Sequence, residues 1–128
     1  MPDAKYNKIK HLVEVDDDIL AVFTVTLGSE HHMEDLSIAE NANITKEFAD
    51  YIFDRLQDNL RSTKENTDNR MGRLKWTINE NELIRTLIIY EKDRLVIVLI
   101  KGNTSLSETV DNILGYYYEP ENPPRGLL

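Results

Sequence analysis

The sequence predicts one three-layer α/β domain, helix on sheet on helix, built on a mostly antiparallel sheet. Three observations point there. Leu95-Val96-Ile97-Val98-Leu99-Ile100 is apolar at every position. Side chains on a strand alternate between faces, so this strand needs cover on both. The run ending at Tyr90 meets it through the polar turn Glu91-Lys92-Asp93-Arg94, which makes the pair an antiparallel hairpin. Leu74 to Asn79 alternates, with Leu74, Trp76 and Ile78 on one face and Lys75, Thr77 and Asn79 on the other. That is the pattern of a half-exposed strand at a sheet edge.

Taken in order, Asp3 to Glu14 places Tyr6, Ile9, Leu12 and Val13 at helical spacing, and the acidic cluster Asp16-Asp17-Asp18 ends the segment. Ile19 to Leu27 is rich in β-branched and aromatic residues and reads as a strand. Its alternation puts Ile19, Ala21, Phe23, Val25 and Leu27 on one face and Leu20, Val22, Thr24 and Thr26 on the other. Gly28-Ser29-Glu30 supplies a turn, and a weaker strand follows at Met33 to Ile38. Thr45 is a candidate N-cap for a helix to about Lys64. Phe48, Ile52, Leu56 and Leu60, with Ala49 and Phe53, span an apolar arc of roughly 140°. Tyr51 widens it, and Arg55 and Asn59 line its border. An arc wider than one core requires suits a helix that touches its own sheet and a second surface. Ser105 or Ser107 can cap a last helix with Leu106, Val110, Ile113, Leu114 and Tyr117 on one side, and Gly115 is expected to end it. Residues 1–118 form the domain. Residues 119–128, with Pro120, Pro123 and Pro124, read as a flexible tail.

The chain of 128 residues carries 23 acidic and 15 basic residues, a net charge of −8. Nucleic-acid binding needs a basic face, and an anionic membrane surface would repel such a chain, so neither is an expected partner. An acidic surface steers instead toward a basic partner surface. There is no cysteine, which removes disulfides and thiolate metal sites. Met1 to Lys10 lacks the apolar core of a secretory signal, and no apolar run is long enough to span a bilayer. The expectation is a soluble, cytoplasmic protein.

No catalytic motif is present. His31-His32-Met33-Glu34-Asp35 resembles metal ligands most, but adjacent residues on a strand point to opposite faces, so a solvated turn is the better reading. Asp16-Asp17-Asp18 lacks the glycine and distant glutamate of a calcium loop. The glycines are scattered, and no serine sits in a nucleophile elbow. No metal or cofactor is expected. Trp76 has two readings, a core residue under a helix or an interface hot spot on an edge strand.

The element order along Tyr6 to Leu114 resembles the roadblock (dynein light-chain) family of the prokaryotic type. The run Leu74-Lys75-Trp76-Thr77-Ile78, then Ile84 to Tyr90, then Arg94 to Ile100 and a capped helix, carries most of the likeness. The resemblance implies a five-stranded antiparallel sheet with one long helix on one face and the terminal helices on the other. It also implies a homodimer in which third strands pair edge to edge and long helices pack together. The sequence departs from the family pattern at Met33 to Ile38, where a typical member has a glycine-containing hairpin and a more apolar partner strand. The expected interface is Leu74, Trp76, Ile78, Phe48, Tyr51, Ile52, Arg55 and Asn59. The implied function is a non-enzymatic scaffold that presents a composite surface to a small Ras-like GTPase or a larger complex. The competing reading is a sensory domain of related architecture with a small molecule between sheet and helix. A weaker third reading is a metal-dependent enzyme built around His31 and His32.

Overall fold

The computed structural model describes residues 9–27, 32–40, 42–65, 70, 72–102 and 104–118, with the side chains of 58–65 excepted. Its strands are β1 (Ile19–Thr26), β2 (His32–Ile38), β3 (Trp76–Glu80), β4 (Ile84–Tyr90) and β5 (Arg94–Lys101). Its helices are α1 (Lys46–Glu65) and α2 (Leu106–Tyr118), and a 3-10 turn spans Leu12–Glu14. The strands form one sheet in the order β2-β1-β5-β4-β3, with every neighbouring pair antiparallel.

β5 occupies the centre because it is the strand that needs cover on both faces. Leu95, Ile97 and Leu99 join Ala21, Phe23, Val25 and Ile88 beneath Ala49 and Leu56 of α1. Val96, Val98 and Ile100 join Val22, Leu87 and Ile89 on the other side, beneath Ile9, Leu12 and Ile113. Burial of each such side chain is worth about 1.5–3 kcal/mol, so these two layers dominate the stability of the domain. Among the described residues, no helix is long and apolar enough to cross a membrane.

Four expectations are corrected. The alternation expected for β1 fails at its start. The register to β5 slips between Ile19 and Ala21, and this bulge puts Leu20 on the α1 side with Ala21 while Ile19 joins Val22 opposite. Gly115 does not end the last helix. Tyr116 and Tyr117 pack against the core, and that packing carries α2 through Gly115 to Tyr118. The third strand begins at Trp76, not Leu74, although the Tyr90 amide still donates to the Lys75 carbonyl at 2.9 Å. The acidic cluster does more than end a helix. Asn112 donates to Asp16 at 2.8 Å, Thr109 Oγ1 lies 3.5 Å from Asp18 Oδ2, and the Lys101 amide donates to the Asp18 carbonyl, so the cluster ties α2 and β5 together.

Two local details agree with the sequence. Thr45 caps α1, its hydroxyl accepting from the Phe48 amide at 3.1 Å. Ser105 stands at the cap of α2, where the Thr109 amide meets its carbonyl at 3.3 Å. Asp3 to Lys8 of the first expected helix and the expected tail 119–128 lie outside the described residues; Ile9 to His11 are helical.

Candidate functional interface

The sheet has two outer strands, β2 and β3, and they present different edges. β2 is paired to β1 through a register slip between Val22 and Thr24, and Asp35 sits in the left-handed region at φ 54°. Exposed Glu34 and Asp35 add charge there. A kinked, charged strand is a poor template for another strand.

β3 is regular. Its register to β4 runs unbroken from Trp76 opposite Ile89 to Glu80 opposite Arg85. The Tyr90 amide bonds the Lys75 carbonyl, and the Asn81 amide bonds the Ile84 carbonyl. In an antiparallel ladder, hydrogen-bonded and non-bonded positions alternate. Residues 75, 77, 79 and 81 therefore direct their backbone groups at β4. Trp76, Ile78 and Glu80 direct theirs outward, away from the sheet. Among the described residues no strand lies against that side.

The end of this edge is held in place by Arg85, an almost buried cation on β4. It donates to Glu80 Oε1 at 2.5 Å and to the Thr104 carbonyl at 2.9 Å. These charge-assisted bonds fix the last residue of β3 against the loop before α2.

Cross-strand partners share a face, so Trp76 and Ile78 lie on the α2 side with Ile89 and Leu87. Ile78 packs at the border of that core. Trp76 is 38% exposed, so it is not the fully covered core residue of one of its two readings. Leu74 is half-buried and precedes the strand.

The helix residues occupy the opposite side of the sheet. Lys46, Asp50 and Phe53 of α1 line a cleft with His32 to Leu36 of β2, which identifies one flank of the helix. At about 100° per residue, Phe48, Tyr51, Ile52 and Arg55 fall on the other flank, turned toward the β3 edge. Tyr51 is 55% exposed, with its ring centroid 6.1 Å from that of Phe48. Arg55 is exposed, while Ile52 packs on the home core. The side chain of Asn59 lies outside the described residues. The sheet edge and the apolar helix flank thus share one side of the domain.

A second feature lies where β4 turns into β5. A cleft of about 460 Å³ is lined by Arg73, Glu91, Lys92, Tyr117 and Tyr118, among others. Glu91 accepts from Arg94 at 2.6 Å. Lys75 Nζ stands 4.8 Å from the Tyr118 ring centroid, a cation–π distance. Partial burial raises the Tyr118 phenol above its ordinary value, Arg73 nearby acts to lower it, and Glu91 acts to raise it. The sequence offered the Tyr116-Tyr117-Tyr118 run as a candidate binding element but not the cleft itself, because the lining comes from four separated segments.

His31 lies outside the described residues, and His32 is exposed at the start of β2. Among the described residues, no three histidine or acidic side chains converge to hold a metal.

The five-stranded antiparallel sheet, with a long helix on one face and terminal helical segments on the other, is the arrangement that the resemblance to the roadblock family implies. The crystal structure of MglC from Myxococcus xanthus is similar to this chain, with a TM-score of 0.59 and 14% sequence identity, over 87% of this chain and 91% of that one. No family model matches the sequence, and no curated protein matches it.

Proposed function

We propose that this chain is a non-enzymatic module that associates with a second copy of itself through the β3 edge and the adjoining flank of α1. The observation that carries this reading is the row of outward backbone groups on Trp76, Ile78 and Glu80, on the side of the domain where Tyr51, Phe48 and Arg55 are turned. Two such edges meeting antiparallel about a two-fold axis at Ile78 would pair Ile78 with Ile78 and Trp76 with Glu80. Sheet extension would satisfy the outward groups, and the two helix flanks would cover each other's tyrosines. The layer between α1 and the sheet is filled by Phe23, Ile97 and Leu99, which favours an interaction module over a small-molecule pocket there.

The resemblance extends the proposal: the dimer presents its joint surface to a small Ras-like GTPase or a larger complex. Proline substitution tests the edge. Ile78→Pro deletes an outward amide that the home sheet does not use, and outer strands tolerate proline there. It should yield a folded monomer. Thr77→Pro deletes an amide bonded to β4 and should unfold the domain at lower denaturant. A dimeric Ile78→Pro variant would refute the proposed edge. A small GTPase retained by the wild type and lost from Ile78→Pro would support the extension.

A further inference from the structure

The cleft between the β4–β5 turn and the end of α2 has a charge opposite to that of the chain as a whole. The molecule carries −8, yet Arg73 and Lys92 line this cleft and Lys75 stands at its rim over Tyr118. The carboxylate in its lining, Glu91, is matched by Arg94. Among the lining residues, the cations Arg73 and Lys92 therefore outnumber the one carboxylate. The walls are aromatic: Tyr117 and Tyr118 meet edge to face at 5.0 Å. Cations bordering a partly apolar recess suit a ligand that carries carboxylates and an apolar side chain together.

We propose that this cleft binds an acidic peptide segment of a partner protein, with carboxylates on Arg73 and Lys92 and an apolar side chain against Tyr117 and Tyr118. The net charge decides among the anionic alternatives. A nucleic acid or an anionic membrane extends its charge far beyond the cleft and meets the acidic remainder of the surface. A short acidic segment places its few charges on the cations alone. Long-range repulsion by the chain slows its approach, so the affinity rests on short-range contacts and is modest. The site does not depend on self-association, because its lining lies off the outer edge of β3.

The test is a two-dimensional amide NMR titration of the full chain with a blocked pentapeptide that has two glutamates on either side of one phenylalanine. Expected are shifts confined to Arg73–Lys75, Glu91–Lys92 and Tyr116–Tyr118, and at least a tenfold loss of affinity in Arg73→Glu/Lys92→Glu. Both positions are exposed, so that variant keeps its fold, and unchanged circular dichroism checks it. Tyr118→Ala should weaken the phenylalanine peptide more than plain blocked tetraglutamate. Shifts elsewhere, no binding at millimolar peptide, or equal binding of the matching lysine peptide would overturn the proposal. Tighter binding of a short single-stranded oligonucleotide would overturn it in favour of nucleic acid.

Discussion

Replacing Tyr51 with serine should weaken self-association by about two orders of magnitude while leaving the fold intact. Tyr51 is 55% exposed in a single copy. A tyrosine presents roughly 200 Å², so about 110 Å² of its surface remains to be covered. At about 25 cal/mol per Å², full coverage stabilises by about 2.7 kcal/mol per copy. A symmetric interface removes the residue twice. Serine keeps part of the contact and water enters the gap, so about half the total is lost, roughly 3 kcal/mol. At about 1.4 kcal/mol per decade, Kd rises by about a hundredfold. Monomer stability should move by only about 0.5 kcal/mol, since the side chain is largely outside the core. Sedimentation equilibrium across a concentration series reads the Kd, and urea unfolding of the monomer reads the stability. A Kd within about twofold of the wild type would show that this helix flank is not buried between copies.

Three further outcomes concern other parts of the molecule. A Cβ added at Gly102 would stand 2.2 Å from the Glu82 carbonyl oxygen and 2.8 Å from the Leu83 carbonyl carbon, both backbone. Gly102→Ala must therefore push β5 away from the β3–β4 loop, and urea unfolding should show a loss of about 2 kcal/mol or more. Tyr118 has a folded pKa raised mainly by burial, so the unfolded chain loses its proton first. The contribution of Tyr118 to stability is full below pH 10.0, its ordinary pKa, and is lost as pH rises through the higher folded value. Arg73→Gln removes the neighbouring cation, so NMR titration of the Tyr118 ring should show its pKa rise further.

Much of the fold was legible because hydrophobic patterning reports burial directly. The doubly apolar run Leu95 to Ile100 could sit only at the centre of a covered sheet, and it does. The alternation around Trp76 and Ile78 marked an outer strand, and β3 is one. Thr45 announced α1 by a short-range chemical rule that needs no tertiary knowledge. What failed was set by tertiary packing. The bulge that moved Leu20 to the α1 side arises from pairing with β5, some eighty residues away, and leaves no trace in the local alternation. Gly115 stays helical because Tyr116 and Tyr117 gain more by packing than glycine loses. Arg85 lies in an apolar strand pattern that gives no sign of its bonds to Glu80 and Thr104. The sequence indicated which residues could form an interface. That β3 and one flank of α1 share a side depends on the sheet order and on the register that turns Trp76, Ile78 and Glu80 outward.

Amide hydrogen exchange at Ile78, followed over a dilution series, tests this arrangement most directly. The home ladder leaves that amide facing outward, so a lone copy gives it no protection. Pairing of two β3 edges predicts protection that grows with protein concentration and disappears on dilution, while the Thr77 amide stays protected throughout. Fast exchange at Ile78 at every concentration, in a sample whose mass shows two copies, would contradict it.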